Sequence, residues 1–90
     1  MTDAIPLLES NWIGHLEVRN RLVVAPMSRV STRGDGVPTE NMRDYYREFA
    51  EGGFGLIVAE GTFTDDKESQ AYPGQPGIVT DAQVQGWSRI

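Results

Sequence analysis

The chain has no cysteine among its 90 residues, so it offers no disulfide, thiolate metal site or cysteine nucleophile. Positive charge is also scarce: 8 lysines and arginines stand against 13 acidic residues, a formal net charge of -5. No basic stripe is present to neutralise phosphates, which excludes a general nucleic-acid binder. No apolar run approaches the ~20 residues that a membrane span requires. The opening Met1-Thr2-Asp3-Ala4 has no basic stretch followed by an apolar core, so no secretory leader is read there. The expectation is a soluble, cytoplasmic protein with neither a nucleic-acid nor a membrane partner. Hydrophobic residues make up 39% and charged residues 23%, a globular rather than a disordered balance. The length allows one small domain at most.

Two short apolar strands organise what is present. Leu22-Val23-Val24-Ala25 is a continuous run of the kind buried on both faces of a parallel sheet, and Pro26 ends it because proline cannot donate to a ladder. Phe54 to Ala59 repeats the pattern. Between them Met42, Tyr45, Tyr46, Phe49 and Ala50 fall on one helical face, with Glu40, Arg43, Asp44, Arg47 and Glu48 on the other. Thr39 is the expected N-cap and Gly52-Gly53 the stop. Upstream, Ile13, Leu16 and Val18 line one side of a short hairpin that turns at Gly14-His15. Downstream, Thr80 and Gln83 mark a capping box for a second helix carrying Val84 and Trp87. Strand, helix and strand imply a parallel pair with a right-handed crossover, the opening of a β/α barrel. A complete barrel needs roughly 250 residues, so this chain carries only part of one.

Barrels of this kind keep their chemistry at the strand ends. Ser28 alone reads as a turn residue or a cofactor ligand, and Gly61 as a turn glycine or a point of close backbone approach. Glu60 reads as a structural carboxylate, binding backbone or a basic partner, in preference to a catalytic base. Arg29 either faces an anion or pairs with an acid. Tyr72, in the long connection from Gly61 to Val79, packs within that loop, contacts substrate or caps the site mouth. Loops of that length in compact domains are more often functional. Tyr45 and Tyr46 read as core, and His15, the only histidine, as surface or structural. Asp65, Asp66 and Glu68 lack the spacing of a rigid metal site and read as a solvated loop. Gly34-Asp35-Gly36 lacks the lysine and following Ser/Thr of a phosphate loop.

The sequence from Asn20 to Arg29, NRLVVAPMSR, resembles the first barrel strand of the old yellow enzyme family. Asp44-Tyr45-Tyr46 followed by Gly53 to Thr62 resembles the family's first helix and second strand. Tyr72 to Ile78 and the segment from Gln83 to Trp87 resemble its next loop and helix. Ile13-Gly14-His15-Leu16 resembles the hairpin that plugs the barrel floor. The pieces run from Leu7 in the family's order and spacing.

The resemblance implies that residues 1–90 are the N-terminal segment of a single FMN-binding TIM barrel domain, comprising the hairpin and the first two βα units. It implies an NAD(P)H:flavin oxidoreductase, or ene reductase. In that chemistry NADH or NADPH gives a hydride to FMN N5, the flavin passes it to the β-carbon of an activated, enone-type alkene, and a protein acid protonates the α-carbon. The implied cofactor-binding residues are Ala25, Pro26, Met27, Ser28 and Gly61, with the Ser28 hydroxyl near flavin O4. Many relatives carry threonine or cysteine at that position, and some place a substrate-contacting tyrosine where this chain has Val30. No catalytic residue and no metal ligand is assigned. The family's carbonyl-gripping pair and its proton donor lie further along than Ile90, so the 90-residue chain alone is expected to be inactive. The expected partners are a small-molecule alkene and either a second copy or a complementary barrel fragment. The alternative function is a non-catalytic β/α fragment serving as an interaction or oligomerisation module.

Overall fold

A computed structural model describes residues 5–65 and 67–90. A single 3-10 turn, Pro6–Leu8, leads into β1 (Asn11–Ile13) and β2 (Leu16–Val18). These two strands pair antiparallel with Ile13 opposite Leu16. Only Gly14 and His15 connect them, and Gly14 takes φ +58, the left-handed conformation that glycine adopts without steric cost. Ile13, Leu16 and Val18 share one face, as the alternation requires; Val18 is buried while Ile13 and Leu16 stay about half exposed.

The second sheet joins β3 (Val23–Val24) and β4 (Leu56–Ile57) in parallel, Val23 opposite Leu56 and Val24 opposite Ile57. Both strands are shorter than the apolar runs that predict them. Pairing nevertheless continues past their ends: Gly55 and Leu56 both donate to the Leu22 carbonyl, and Val58 N–H donates to the Val24 carbonyl at 3.0 Å. The crossover between them is α1 (Glu40–Glu51), starting after the Thr39 N-cap and leaving through Gly52 and Gly53 as its sequence predicts.

Met42 is fully buried and Tyr46 nearly so beneath α1, with Tyr45 and Phe49 half buried beside them. Tyr45, Tyr46, Phe49 and Phe54 form a run of edge-to-face ring contacts with centroids 5.1–5.5 Å apart. Val24 is buried, and Ile57 lines a concavity with Tyr46 and Ala50 of α1, so these two strand residues face the helix. By alternation Val23, Leu56 and Val58 face the other way, and Val23 and Val58 remain 48% and 41% exposed. One face of the parallel pair therefore has a helix and the other stands open. The described residues form two two-stranded sheets and no closed barrel.

The long connection after β4 is tied down in sequence order. Phe63 bridges to Gly77, a 3-10 turn occupies Lys67–Ser69, and Pro76 is fully buried. It delivers the chain to α2 (Asp81–Ser88), whose Thr80–Gln83 capping box is formed in both directions. Trp87 on α2 reaches back to donate from Nε1 to the Gly77 carbonyl at 3.0 Å.

Candidate functional site

A parallel pair puts the C-terminal ends of both strands at one edge, so Ala25-Pro26-Met27-Ser28 after β3 and Gly61 after β4 emerge side by side. All five are exposed. Among the described residues no acceptor stands opposite the backbone N–H of Met27 or Ser28. A Cβ built on Gly61 would meet only Gln75 Nε2, at 3.6 Å, so the space above that backbone is open. The strand ends thus present free backbone donors, one hydroxyl and an uncovered glycine. That is a set suited to the flat, polar-edged ring of a flavin.

The hydroxyl is held from the other loop. Tyr72 Oη and Ser28 Oγ are hydrogen-bonded at 3.1 Å, although the residues lie 44 apart in the chain. Four residues beyond Ser28, Thr32 Oγ1 donates to the Gly74 carbonyl at 2.8 Å. Between these two contacts sits Val30 with φ +54, the only non-glycine residue in the left-handed region among those described. A β-branched side chain there costs about 1–3 kcal/mol, which the surrounding contacts must offset. Gly74 supplies the space: a Cβ on it would lie 2.6 Å from Val30 Cγ1. Residues 28, 30 and 32 therefore meet residues 72 and 74 as a clasp between the two loops. Of the readings open for Tyr72, the structure adds one that the sequence does not reveal, a direct hold on Ser28.

Glu60, the residue before Gly61, is only 3% exposed. Its Oε2 accepts from Tyr46 Oη at 2.7 Å, and its own backbone N–H donates to the same phenol oxygen at 2.9 Å. Burial first, and the Glu60 carboxylate second, push the Tyr46 phenol up to about 12. The Glu60 carboxylate meets neither of the partners expected for it, backbone or a basic group; its observed partner is a tyrosine. Its Oε1 has no hydrogen-bond partner among the described residues, nor does the buried Nε of Arg43. Arg29 follows neither of its expected courses: its guanidinium lies over the Tyr45 ring, 3.7 Å from the centroid. Tyr45 is accordingly a half-buried stacking partner and Tyr46 the core residue. His15 stands exposed in the hairpin turn. Asp66 lies outside the described residues, and among those described no group of three acidic or histidine side chains converges on a metal position. A concavity of about 560 Å³ between α1 and α2, lined by Arg43, Tyr46, Trp87 and Arg89 among others, includes none of the strand-end residues.

Three polar residues that hold the site in place escape sequence reasoning. Asn20 is buried and donates from Nδ2 to the Gly53 carbonyl at 2.6 Å while its Oδ1 accepts from Leu22 N–H, joining the start of β3 to the exit of α1. Gln75 Oε1 accepts from Ala71 N–H at 2.6 Å and folds the Tyr72 loop back on itself. Gln83, beyond its role in the capping box, donates from Nε2 to the Asp35 carbonyl and ties the first loop to α2. The sequence signals Gln83 only as a capping-box residue, Gln75 stands beside Gly74 in a segment with no period, and nothing local marks the role of Asn20.

Residues 7–90 match the family model described as the NADH:flavin oxidoreductase / NADH oxidase family. Among curated relatives, the chain is 40% identical over 88 residues to a putative 12-oxophytodienoate reductase 2 of Oryza sativa subsp. japonica, covering 98% of this chain and 23% of the relative. Among solved structures, it superposes on the old yellow enzyme homologue from Zymomonas mobilis with a TM-score of 0.84 at 36% identity, covering 96% of this chain and 23% of the other. It is likewise similar to morphinone reductase solved in complex with tetrahydroNAD, with a TM-score of 0.83, 34% identity, and coverage of 96% and 23%. The chain thus spans less than a quarter of the length of these relatives.

Proposed function

We propose, on the premise that this chain belongs to the NADH:flavin oxidoreductase / NADH oxidase family, that it forms one wall of the FMN site of an ene reductase. In this reading residues 1–90 are the N-terminal segment of a single TIM barrel domain, and the open face carrying Val23 and Val58 meets the remaining barrel strands. The observation that carries the reading is the shared edge: Ala25–Ser28 and Gly61 end adjacent parallel strands, exposed and with unpaired donors.

When bound, FMN supplies the hydride relay from NADH or NADPH to an activated, enone-type alkene. The chain's own residues position and polarise. Backbone groups of Ala25, Pro26 and Met27 would hold the ring, and Gly61 would let the backbone approach it because no Cβ intervenes. The Ser28 hydroxyl lies 3.1 Å from Tyr72 Oη, and with the phenol donating to it the serine proton would be free for flavin O4. A fixed donor there stabilises the negative charge that reduction builds on the ring. No residue of this chain is assigned to substrate protonation.

Ser28→Ala in the flavin-loaded protein is expected to make the midpoint potential of the bound flavin more negative without abolishing FMN binding. One lost hydrogen bond to a charged acceptor is worth about 1.5–3 kcal/mol. Potentiometric titration of wild type and variant checks this; equal potentials would remove Ser28 from the flavin edge. A second reading, an interaction or oligomerisation module, draws on the same exposed Val23 and Val58. It differs in requiring no flavin once a second copy or a complementary barrel fragment covers that face.

A further inference from the structure

We infer that Tyr72 is a positioning residue for the flavin, acting through Ser28; the inference rests on the assignment of Ser28 to the flavin edge. The pairing of the two hydroxyls carries it. Tyr72 Oη and Ser28 Oγ lie 3.1 Å apart, within hydrogen-bond distance. A serine hydroxyl has one proton and two lone pairs. Once that one proton is given to flavin O4, the contact between the two hydroxyls can be made only with the phenol donating, so Tyr72 favours the Ser28 orientation that donates away from it. The phenol also polarises the hydroxyl, because a donor already engaged as an acceptor becomes a better donor along the chain.

Tyr72 is kept in register by contacts that touch neither hydroxyl. Thr32 Oγ1 and the Thr32 N–H both donate to the Gly74 carbonyl, at 2.8 and 3.4 Å. Gln75 N–H donates to the Tyr72 carbonyl at 3.2 Å, closing the turn that carries the ring. Val30 accepts a left-handed backbone between Ser28 and Thr32 and packs on Gly74. Strain of that kind persists only where neighbouring contacts over-determine it. The tyrosine thus reaches a serine 44 residues away by a built route.

The test is a double-mutant cycle on the flavin-loaded protein with Ser28→Ala, Tyr72→Phe and the pair, read as the midpoint potential of bound FMN and as FMN affinity. Tyr72→Phe keeps the ring and its packing and removes only the donor. Its expected effect is a shift in the same direction as Ser28→Ala but smaller, about threefold in the reduced-to-oxidised ratio at a fixed potential, or about 15 mV for a two-electron couple. FMN affinity changes little, and in the Ser28→Ala background Tyr72→Phe adds nothing. A Tyr72→Phe potential equal to wild type, beside a shifted Ser28→Ala, would overturn the inference and leave the Ser28 assignment standing. Equal, additive shifts from the two substitutions would show Tyr72 acting on the flavin by another route, and overturn it too. If neither substitution moves the potential, the Ser28 assignment fails, and this inference with it.

Discussion

Gly55→Ala is expected to cost about 3 kcal/mol or more of folding stability, read as a lower urea midpoint with an unchanged slope. The position is not one of unusual backbone torsion; the constraint is space. A Cβ on Gly55 would lie 2.6 Å from the Asn20 carbonyl oxygen, 2.6 Å from Asn20 Oδ1 and 3.1 Å from Asn20 N. Two of these are backbone atoms at the entry to β3 and cannot swing aside. The third belongs to a buried side chain already committed to Gly53 and Leu22. Relief of the clash means separating β3 from β4 at the point where Gly55 and Leu56 both donate to Leu22. Gly61→Ala provides the contrast, because its Cβ would meet one flexible amide at 3.6 Å. Its stability should stay close to that of the parent. Equal midpoints for Gly55→Ala and the parent would mean that the two strands are not packed as described.

Tyr46→Phe is expected to cost about 2–4 kcal/mol, since it strips partners from two buried groups at once. The Glu60 Oε2 atom loses its donor and the Glu60 N–H loses its acceptor, while Oε1 has no partner among the described residues to compensate. The phenol also gives the stability profile an alkaline signature. An unfolded tyrosine ionises near its ordinary value of 10, whereas Tyr46 in the fold holds its proton to about 12. Unfolding between those values releases a proton, so the contribution is fully present below pH 10 and is lost as pH rises toward 12. Denaturation midpoints measured across that window should fall for the parent and fall less for Tyr46→Phe. Parallel profiles would mean that Tyr46 is not the group held back by burial against Glu60.

Local signals in the sequence carried most of the fold. The phase of Met42, Tyr45, Tyr46 and Phe49, with Thr39 and Gly52-Gly53 at the ends, marks α1 because one turn of helix needs only its own residues to show its face. The Thr80–Gln83 capping box and the turn at Gly14-His15 are legible for the same reason. The family resemblance supplied the strand-end residues Ala25 to Ser28 and Gly61, which no period or spacing singles out. What stayed hidden depends on partners far along the chain. Nothing near Ser28 announces Tyr72, and nothing near Asn20 announces Gly53. Arg29 had two electrostatic readings and took a third course, over the Tyr45 ring, because a helix face distant in sequence lies beneath it. Val30 looks like any apolar loop residue, and its left-handed backbone emerges only where Gly74 leaves room for it.

The most direct measurement is the visible spectrum of the protein in which residues 1–90 sit within a complete barrel, recorded after FMN is added and the excess removed. A retained flavin band is the predicted result. A stable, assembled protein that keeps no flavin would contradict the proposed wall at Ala25–Ser28 and Gly61, and would leave the chain as an interaction module on a β/α frame.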